Sequence, residues 1–117
     1  MKSSDAYLFF TPEYNRSIPA VLKNALDVAS RPYGENVWTG KPAGIVSVSI
    51  GGLSGFGANH HLRQVLTFLN VYPLQQPEAY IGNAGELVDE NGKLTNERTQ
   101  KFLQSYVEAF DAWVKKF

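Results

Sequence analysis

The sequence has no cysteine. That excludes a disulfide scaffold, thiolate catalysis, cysteine-ligated zinc and iron–sulfur clusters, and it suits a reducing compartment. Net charge is missing too. Eleven basic residues balance eleven acidic ones and no basic stripe is visible, which argues against nucleic acid or an anionic membrane as a partner. No apolar run approaches the ~20 residues that a membrane span needs. The opening Met1-Lys2-Ser3-Ser4-Asp5 has no signal-peptide pattern, so the cytoplasm is the expected location. The two histidines, His60 and His61, are adjacent and on a helix would point about 100° apart. Without a cysteine or a His-x-x-x-His pair, no metal site is expected.

What is present is material for a packed core. Of 117 residues, 44% are hydrophobic and 13% aromatic, which favours one small folded domain spanning 1–117 over disorder. Ala6–Phe10 is a continuous apolar run, the pattern of a strand covered on both faces in a parallel sheet. After it, Ile18, Leu22, Ala25, Leu26 and Ala29 recur at helical spacing, with Pro19 near the start, where proline is tolerated. Ser30-Arg31-Pro32-Tyr33-Gly34 ends that helix. Ala43–Ser49 reads as a second buried strand, followed by the glycine-rich loop Ile50–Gly57 and a helix bearing Leu62, Val65, Leu66 and Leu69. Tyr72-Pro73 breaks away from that helix and Ala79-Tyr80-Ile81 reads as a short third strand. A surface turn centred on Asn91-Gly92 precedes a last helix, which Thr95 is placed to cap and which packs Phe102, Leu103, Tyr106, Phe110, Trp113 and Val114. The order βαβαβα predicts an α/β fold with three adjacent parallel strands flanked by helices.

Thr11-Pro12-Glu13-Tyr14-Asn15, then Ser17, Pro19 and Leu22-Lys23-Asn24-Ala25-Leu26-Asp27, closely resemble the NADPH-dependent FMN reductase family of the flavodoxin-like fold. Ser49-Ile50-Gly51-Gly52, the helix opening His61-Leu62-Arg63-Gln64, and Asp89-Glu90-Asn91-Gly92 with Leu94-Thr95 match the same family in the same order. The resemblance implies a three-layer flavodoxin-like open parallel sheet. Its strand order is 2-1-3-4-5, of which this chain carries what would be strands 3, 4 and 5.

Only Met1–Asp5 precede the first strand, so the opening strand and the loop that wraps the FMN phosphate in the family are expected to be absent. That phosphate is a dianion held by charge-assisted hydrogen bonds of ~1.5–3 kcal/mol each. Losing several would weaken FMN binding by orders of magnitude, since each ~1.4 kcal/mol is a factor of ten. The same loss leaves Ala6–Phe10 as a sheet edge with no lysine or proline to blunt it, an invitation to pair with another chain. A separate N-terminal piece, an edge exchange between two copies, or a longer parent chain would each satisfy it.

The resemblance makes Pro12, Glu13, Tyr14, Asn15, Ser49, Gly51 and Gly52 the candidate cofactor-binding residues, addressing the flavin ring. Glycines let backbone approach a flat ring closely, and a helix N-terminus favours electron-rich groups. The plain alternatives are an ordinary strand-to-helix turn capped by Asn15 or Ser17 and a flexible glycine loop. Gly55-Phe56-Gly57 is no dinucleotide fingerprint, because His60 stands where the third glycine belongs. Arg16 is placed either to meet a nucleotide or simply to be solvated.

Two functions follow. The first, implied by the resemblance, is an FMN-dependent NAD(P)H oxidoreductase. It would pass two electrons from NADPH or NADH to a quinone, free flavin or similar small acceptor, as a homo-oligomer whose interface uses the helices from Ile18 and from Ala58. The cofactor then carries the chemistry, which agrees with the lack of any acid/base pair or nucleophile among the motifs. The second is a non-enzymatic truncated α/β assembly module with a lost or weakened flavin site. A receiver-type signalling domain fits less well, since Thr11 and Ser49 occupy the strand ends where an aspartate belongs.

Overall fold

A computed structural model describes residues 3–117. Met1 and Lys2, part of the stretch ahead of the first strand, lie outside them. The elements are β1 (Tyr7–Pro12), α1 (Ala20–Val28), β2 (Pro42–Val48), α2 (Phe56–Phe68), β3 (Tyr72–Pro73), β4 (Tyr80–Ile81) and α3 (Glu97–Val114), with a 3-10 turn at Ala84–Glu86. All strand pairs are parallel. β2 is central, with β1 on one side and both β3 and β4 on the other.

Alternation along the strands sorts the core into two faces. Ala43 and Ile45 of β2 join Tyr7 and Phe9 of β1 against Leu26 of α1, Leu62 and Leu66 of α2, and Trp38. Val46 and Val48 join Leu8 against Tyr106, Phe102, Phe110 and Trp113 of α3. The result is an α/β/α arrangement with α1 and α2 on one face and α3 on the other. Leu26, Ile45, Leu62 and Leu66 are fully buried, each contributing about 1.5–3 kcal/mol of transfer free energy. Most of the expected helical positions pack on these faces, but Ala25, expected on the buried face of α1, is exposed, one helical step of about 100° away from buried Leu26. Trp38 is a core residue whose indole N–H donates to Leu26 O at 3.0 Å.

The structure corrects several local expectations. The continuously buried strand is β2; β1 is only half-buried, because among the described residues it pairs on one side alone. β1 also runs two residues further than its apolar run, with Thr11 opposite Ser47 and Pro12 opposite Val48. Neither Asn15 nor Ser17 caps α1, whose N-cap is Pro19. The cap of α3 is Asn96 rather than Thr95. The Asn96 side chain accepts the Thr99 N–H at 2.9 Å, whereas the Thr95 hydroxyl is turned to Leu87 O. The Asn91-Gly92 turn forms as expected, closed by the Val88–Leu94 bridge, with Asp89 accepting from the N–H groups of Asn91 and Lys93.

The third strand position is split. Tyr72-Pro73 does not simply leave the helix. It pairs with Pro42-Ala43, and Tyr80-Ile81 pairs with Ser47-Val48 further along β2. Proline lacks an N–H for the ladder, and with Pro73 and Pro77 in this segment the chain leaves the sheet between the two pieces. Leu74 N–H still reaches Ala43 O at 2.8 Å, and Ser47 N–H reaches Ala79 O at 3.0 Å. Alternate residues of a parallel strand face the same neighbour, so the N–H and C=O of Ile45 face the gap. Tyr106 fills it: its hydroxyl accepts from Ile45 N–H at 2.8 Å and donates to Ile45 O at 3.2 Å. Gly44 makes this approach possible, since a Cβ there would lie 2.8 Å from the Tyr106 hydroxyl and 2.9 Å from the Phe110 ring. Two α2 side chains close the other face of the gap. Arg63 donates to Leu74 O from both terminal nitrogens at 3.3 Å and to Asn59 Oδ1 at 3.0 Å, and buried Asn59 donates to Ala79 O at 3.4 Å.

Candidate functional site

The carboxyl ends of β1 and β2 lie side by side, fixed by the Pro12–Val48 pair. The loops that follow them are therefore neighbours, as expected of a crevice in an open α/β sheet. After Pro12 the chain makes a tight turn. Tyr14 and Ser17 exchange both backbone hydrogen bonds, at 2.8 and 3.0 Å. Asn15 and Arg16 at its corner have φ of 52° and 68°. Two successive positive φ values are the signature of a type I′ turn. Asn tolerates that region; Arg does so at a cost of order 1 kcal/mol, which the surroundings must offset.

Those surroundings are the first turn of α2. Its N-cap, Gly55, has no side chain to offer. Glu13, from the other loop, supplies the acceptor: its Oε2 takes the Ala58 N–H at 2.9 Å. The Glu13 side chain is only 11% exposed. Gly57 lets the loops close on each other, because a Cβ there would lie 2.7 Å from both Arg16 O and Glu13 Oε2. A further tie joins His61 Nδ1 and Ser17 Oγ at 2.8 Å.

The second loop is held from within and from β4. Ser49 Oγ accepts the Gly51 N–H at 3.1 Å, and Ser47 Oγ donates to Ser54 O at 2.9 Å. Asn83 N–H donates to Gly51 O and Ala84 N–H to Ser49 O, so the segment after β4 forms a third wall. Beyond its two chain neighbours, no described atom lies within 4 Å of a Cβ built on Gly52, and one on Gly51 would meet only Ser49 Oγ, at 3.6 Å. Tyr14, Ile50 and Leu53 are exposed at 60%, 84% and 59%. This is an open shelf of backbone amides and uncovered apolar side chains. The two loops carry one basic residue, Arg16, whose guanidinium stands 4.0 Å from Glu13.

Of the residues singled out in the sequence, Pro12, Tyr14, Asn15, Ser49, Gly51 and Gly52 line the two adjacent loops. Glu13 belongs to the same loop, but its carboxylate is committed to α2. Sequence reasoning grouped Gly55 and Gly57 with Ser49, Gly51 and Gly52 in the glycine-rich loop, but missed the close approach of Gly57 to Glu13 and Arg16 and the part of Ala58 and Gly82–Ala84 in shaping the shelf. An acidic residue in one loop and a side-chain-free N-cap in the next was the available signal for the Glu13 tie.

Two grooves lie away from the shelf. A groove of about 590 Å³ runs between α1 and α2, lined in part by Lys23, Asp27, Gln64 and Phe68. Another, of about 500 Å³, lies between β4 and the start of α3. At its rim Tyr80 donates to Glu78 Oε1 at 2.6 Å. With that proton committed, His60 Nε2 donates to the Tyr80 oxygen at 2.8 Å. Burial, then the hydrogen bond to Glu78 and its negative charge, push the Tyr80 hydroxyl up to about 12, with Arg63 opposing. Among the described residues, no group of three or more His, Asp or Glu side chains is placed to hold a metal ion, and no helix is long and apolar enough to cross a membrane.

The profile of the NADPH-dependent FMN reductase family matches residues 1–86. A quinone reductase of Pseudomonas putida is 57% identical over 115 residues, covering 98% of this chain and 61% of its own length. A 2-hydroxy-1,4-benzoquinone reductase of a Burkholderia species is 46% identical over 112 residues, covering 96% and 61%. Among solved structures, the flavoenzyme NAD(P)H:(acceptor) oxidoreductase FerB from Paracoccus denitrificans superposes with a TM-score of 0.89 at 44% identity. That match covers 98% of this chain and 63% of FerB. The chain thus spans about three fifths of the length of the relatives it matches.

Proposed function

The chain belongs to the NADPH-dependent FMN reductase family, and on that footing we propose that it carries the ring-facing half of a flavin site in an NAD(P)H-dependent reductase of quinones or related small acceptors. The observation that carries the reading is the open shelf formed by Pro12–Asn15 and Ser49–Gly52 at adjacent strand ends. Bound FMN would supply the redox chemistry, taking two electrons from a nicotinamide and releasing them to the acceptor. The protein's share is placement. Backbone amides of the two loops and the Asn15 side chain are suited to the polar edge of a ring, and Tyr14 to its apolar face. Gly51 and Gly52 leave room for a flat ligand.

The donor set fits the ring and not the phosphate. Arg16 is the loops' one cation and is drawn toward Glu13, so no cluster of cationic donors for a dianion exists there. The phosphate site belongs to the part of the family fold that precedes β1, in a flavodoxin-like sheet of which this chain supplies strands 3, 4 and 5. The protein acts as a homodimer in this reading. The outer faces of α1 and α2 support that, exposing Val21, Val28 and Phe68 at 77%, 65% and 84%, more apolar surface than a monomer gains from leaving in water.

The test is a side-by-side fluorescence titration with FMN and riboflavin, followed by NAD(P)H oxidation with a quinone at saturating flavin. The expected result is binding of both flavins with less than about tenfold preference for FMN, ~1.4 kcal/mol, and turnover that rises with added flavin. The second reading, an assembly module without a working site, is favoured by the exposed β1 edge, where Phe10 is 60% exposed. Absence of binding by either flavin at millimolar concentration would select it.

A further inference from the structure

We propose that Glu13, which lies within the ring-binding motif, is a positioning residue that pins the Tyr14–Ser17 turn to the first turn of α2 and touches no ligand itself. The flavin consequence rests on the function proposed above; the pinning does not. Three observations converge. The Glu13 carboxylate accepts the Ala58 N–H at 2.9 Å with only 11% of the side chain exposed. α2 has no cap of its own, because Gly55 stands at its N-cap. The turn that Glu13 holds is intrinsically costly, with Asn15 and Arg16 both at positive φ.

The physical logic is that of a cap delivered from a distance. The N–H groups of a helix's first turn need acceptors, and a carboxylate there also meets the positive end of the helix dipole. In a local cap that energy would stabilise α2 alone. Here the acceptor sits 45 residues earlier in the chain, so the same energy closes the two loops on each other. It holds Tyr14 and Asn15 in one presentation, and the strain of the turn is offset by the capping of α2. The contact also occupies the Ala58 N–H, so an anionic group of a ligand meets a carboxylate at this helix start rather than a free donor. The shelf is thereby set for a neutral ring.

Two substitutions reach the pin from opposite sides. Glu13→Ala removes the acceptor. Gly57→Ala leaves the carboxylate intact but places a methyl 2.7 Å from Arg16 O and from Glu13 Oε2, while alanine is intrinsically better than glycine within a helix. Glu13→Gln keeps an acceptor oxygen and serves as the conservative rescue.

The first measurement is amide hydrogen exchange on the ligand-free protein, comparing residues 14–17 and Ala58 with the core amides of β2. Glu13→Ala and Gly57→Ala are expected to speed exchange in the turn and at Ala58 by about tenfold, leaving β2 unchanged, and Glu13→Gln to restore most of the protection. The second is riboflavin affinity, for which Glu13→Ala and Gly57→Ala are expected to weaken binding by about tenfold and Glu13→Gln by less than about threefold. Unchanged exchange in the turn of Glu13→Ala would overturn the pin. Wild-type exchange in Glu13→Gln together with a loss of riboflavin affinity equal to that of Glu13→Ala would instead make Glu13 a direct ligand. If the parent protein binds no riboflavin, the flavin reading fails, and the exchange data alone decide whether the pin exists.

Discussion

Deleting one oxygen atom, by Tyr106→Phe, tests how the sheet survives its split third strand. Tyr106 is 1% exposed and Ile45 fully buried. The hydroxyl is the hydrogen-bond partner of both backbone groups of Ile45, accepting at 2.8 Å and donating at 3.2 Å. Phenylalanine keeps the ring and its packing against Val46, Leu74 and Ala79 but leaves a buried N–H and a buried C=O facing the gap. An unsatisfied buried group costs about 1–3 kcal/mol. Two such groups, discounted because they share one site and can relax together, amount to about 2–4 kcal/mol. Against a total stability of roughly 5–15 kcal/mol for a domain, that is a large fraction. At about 4 °C per kcal/mol, the midpoint should fall by roughly 8–16 °C.

The assay is urea or thermal unfolding followed by far-UV circular dichroism. The control is Tyr33→Phe, a residue 84% exposed, which should shift stability by less than about 0.5 kcal/mol. Amide exchange at Ile45 should accelerate relative to Val46. A Tyr106→Phe protein within about 0.5 kcal/mol of the parent would refute the reasoning. It would mean that water or the 74–79 segment satisfies Ile45 unaided.

Further outcomes follow from single features. Burial raises the Tyr106 hydroxyl above its ordinary 10.0, and Tyr80 is pushed up to about 12 by burial and Glu78. Both tyrosines then keep their protons in the folded state where the unfolded chain loses them, so stability should be intact below pH 10 and fall as pH rises from 10 through about 12. Tyr80→Phe should flatten part of that alkaline fall, as read by urea midpoints across the range. Asn96→Ala should cost about 1 kcal/mol in unfolding free energy through loss of the α3 cap, and Thr95→Ala clearly less; equal effects would return the cap to Thr95. Tyr14→Ala should weaken riboflavin binding by about 1–3 kcal/mol in a fluorescence titration with the melting temperature nearly unchanged. Equal affinity would move the ring elsewhere.

The layers and the strand ends were legible because they depend on patterns of short range. Continuous apolar runs mark β1 and β2, the i, i+4 spacing of Leu62 and Leu66 marks the buried face of α2, and Gly92 marks the last turn. Their order alone predicts a parallel sheet with helices on both faces, which puts the Pro12 and Ser49 loops together. What pattern could not deliver were the bonds that tie one element's backbone to another element's side chain. Tyr106 reads as one more aromatic on the apolar face of α3, and nothing beside it in the chain announces that its hydroxyl completes a strand 61 residues away. The split of the third strand was half legible: Tyr72-Pro73 read as a break from the helix and Ala79-Tyr80-Ile81 as a strand, but not that Tyr72 and Tyr80 lie in line along the same neighbour.

Tyr106 and Glu13 follow the same physical rule from opposite faces of the sheet. Wherever regular structure leaves backbone groups without partners, whether at a broken strand or at an uncapped helix start, a buried acceptor or donor must come from somewhere. In this fold it comes from a distant side chain, and a glycine stands at the point of approach: Gly44 beneath Tyr106 and Gly57 beside Glu13. At Gly44 the arrangement completes a core, which needs only to be filled. At Gly57 it sets the conformation of an exposed, strained turn, which has no packing of its own to hold it. The two positions should therefore answer differently to alanine. Gly44→Ala should destabilise the whole fold by driving α3 off β2, whereas Gly57→Ala should leave global stability nearly intact and loosen the turn alone. Unfolding midpoints for the two variants, set beside exchange rates in residues 14–17, test that division. Equal global destabilisation by both would mean that the loop pair is part of the core rather than a shelf mounted on it.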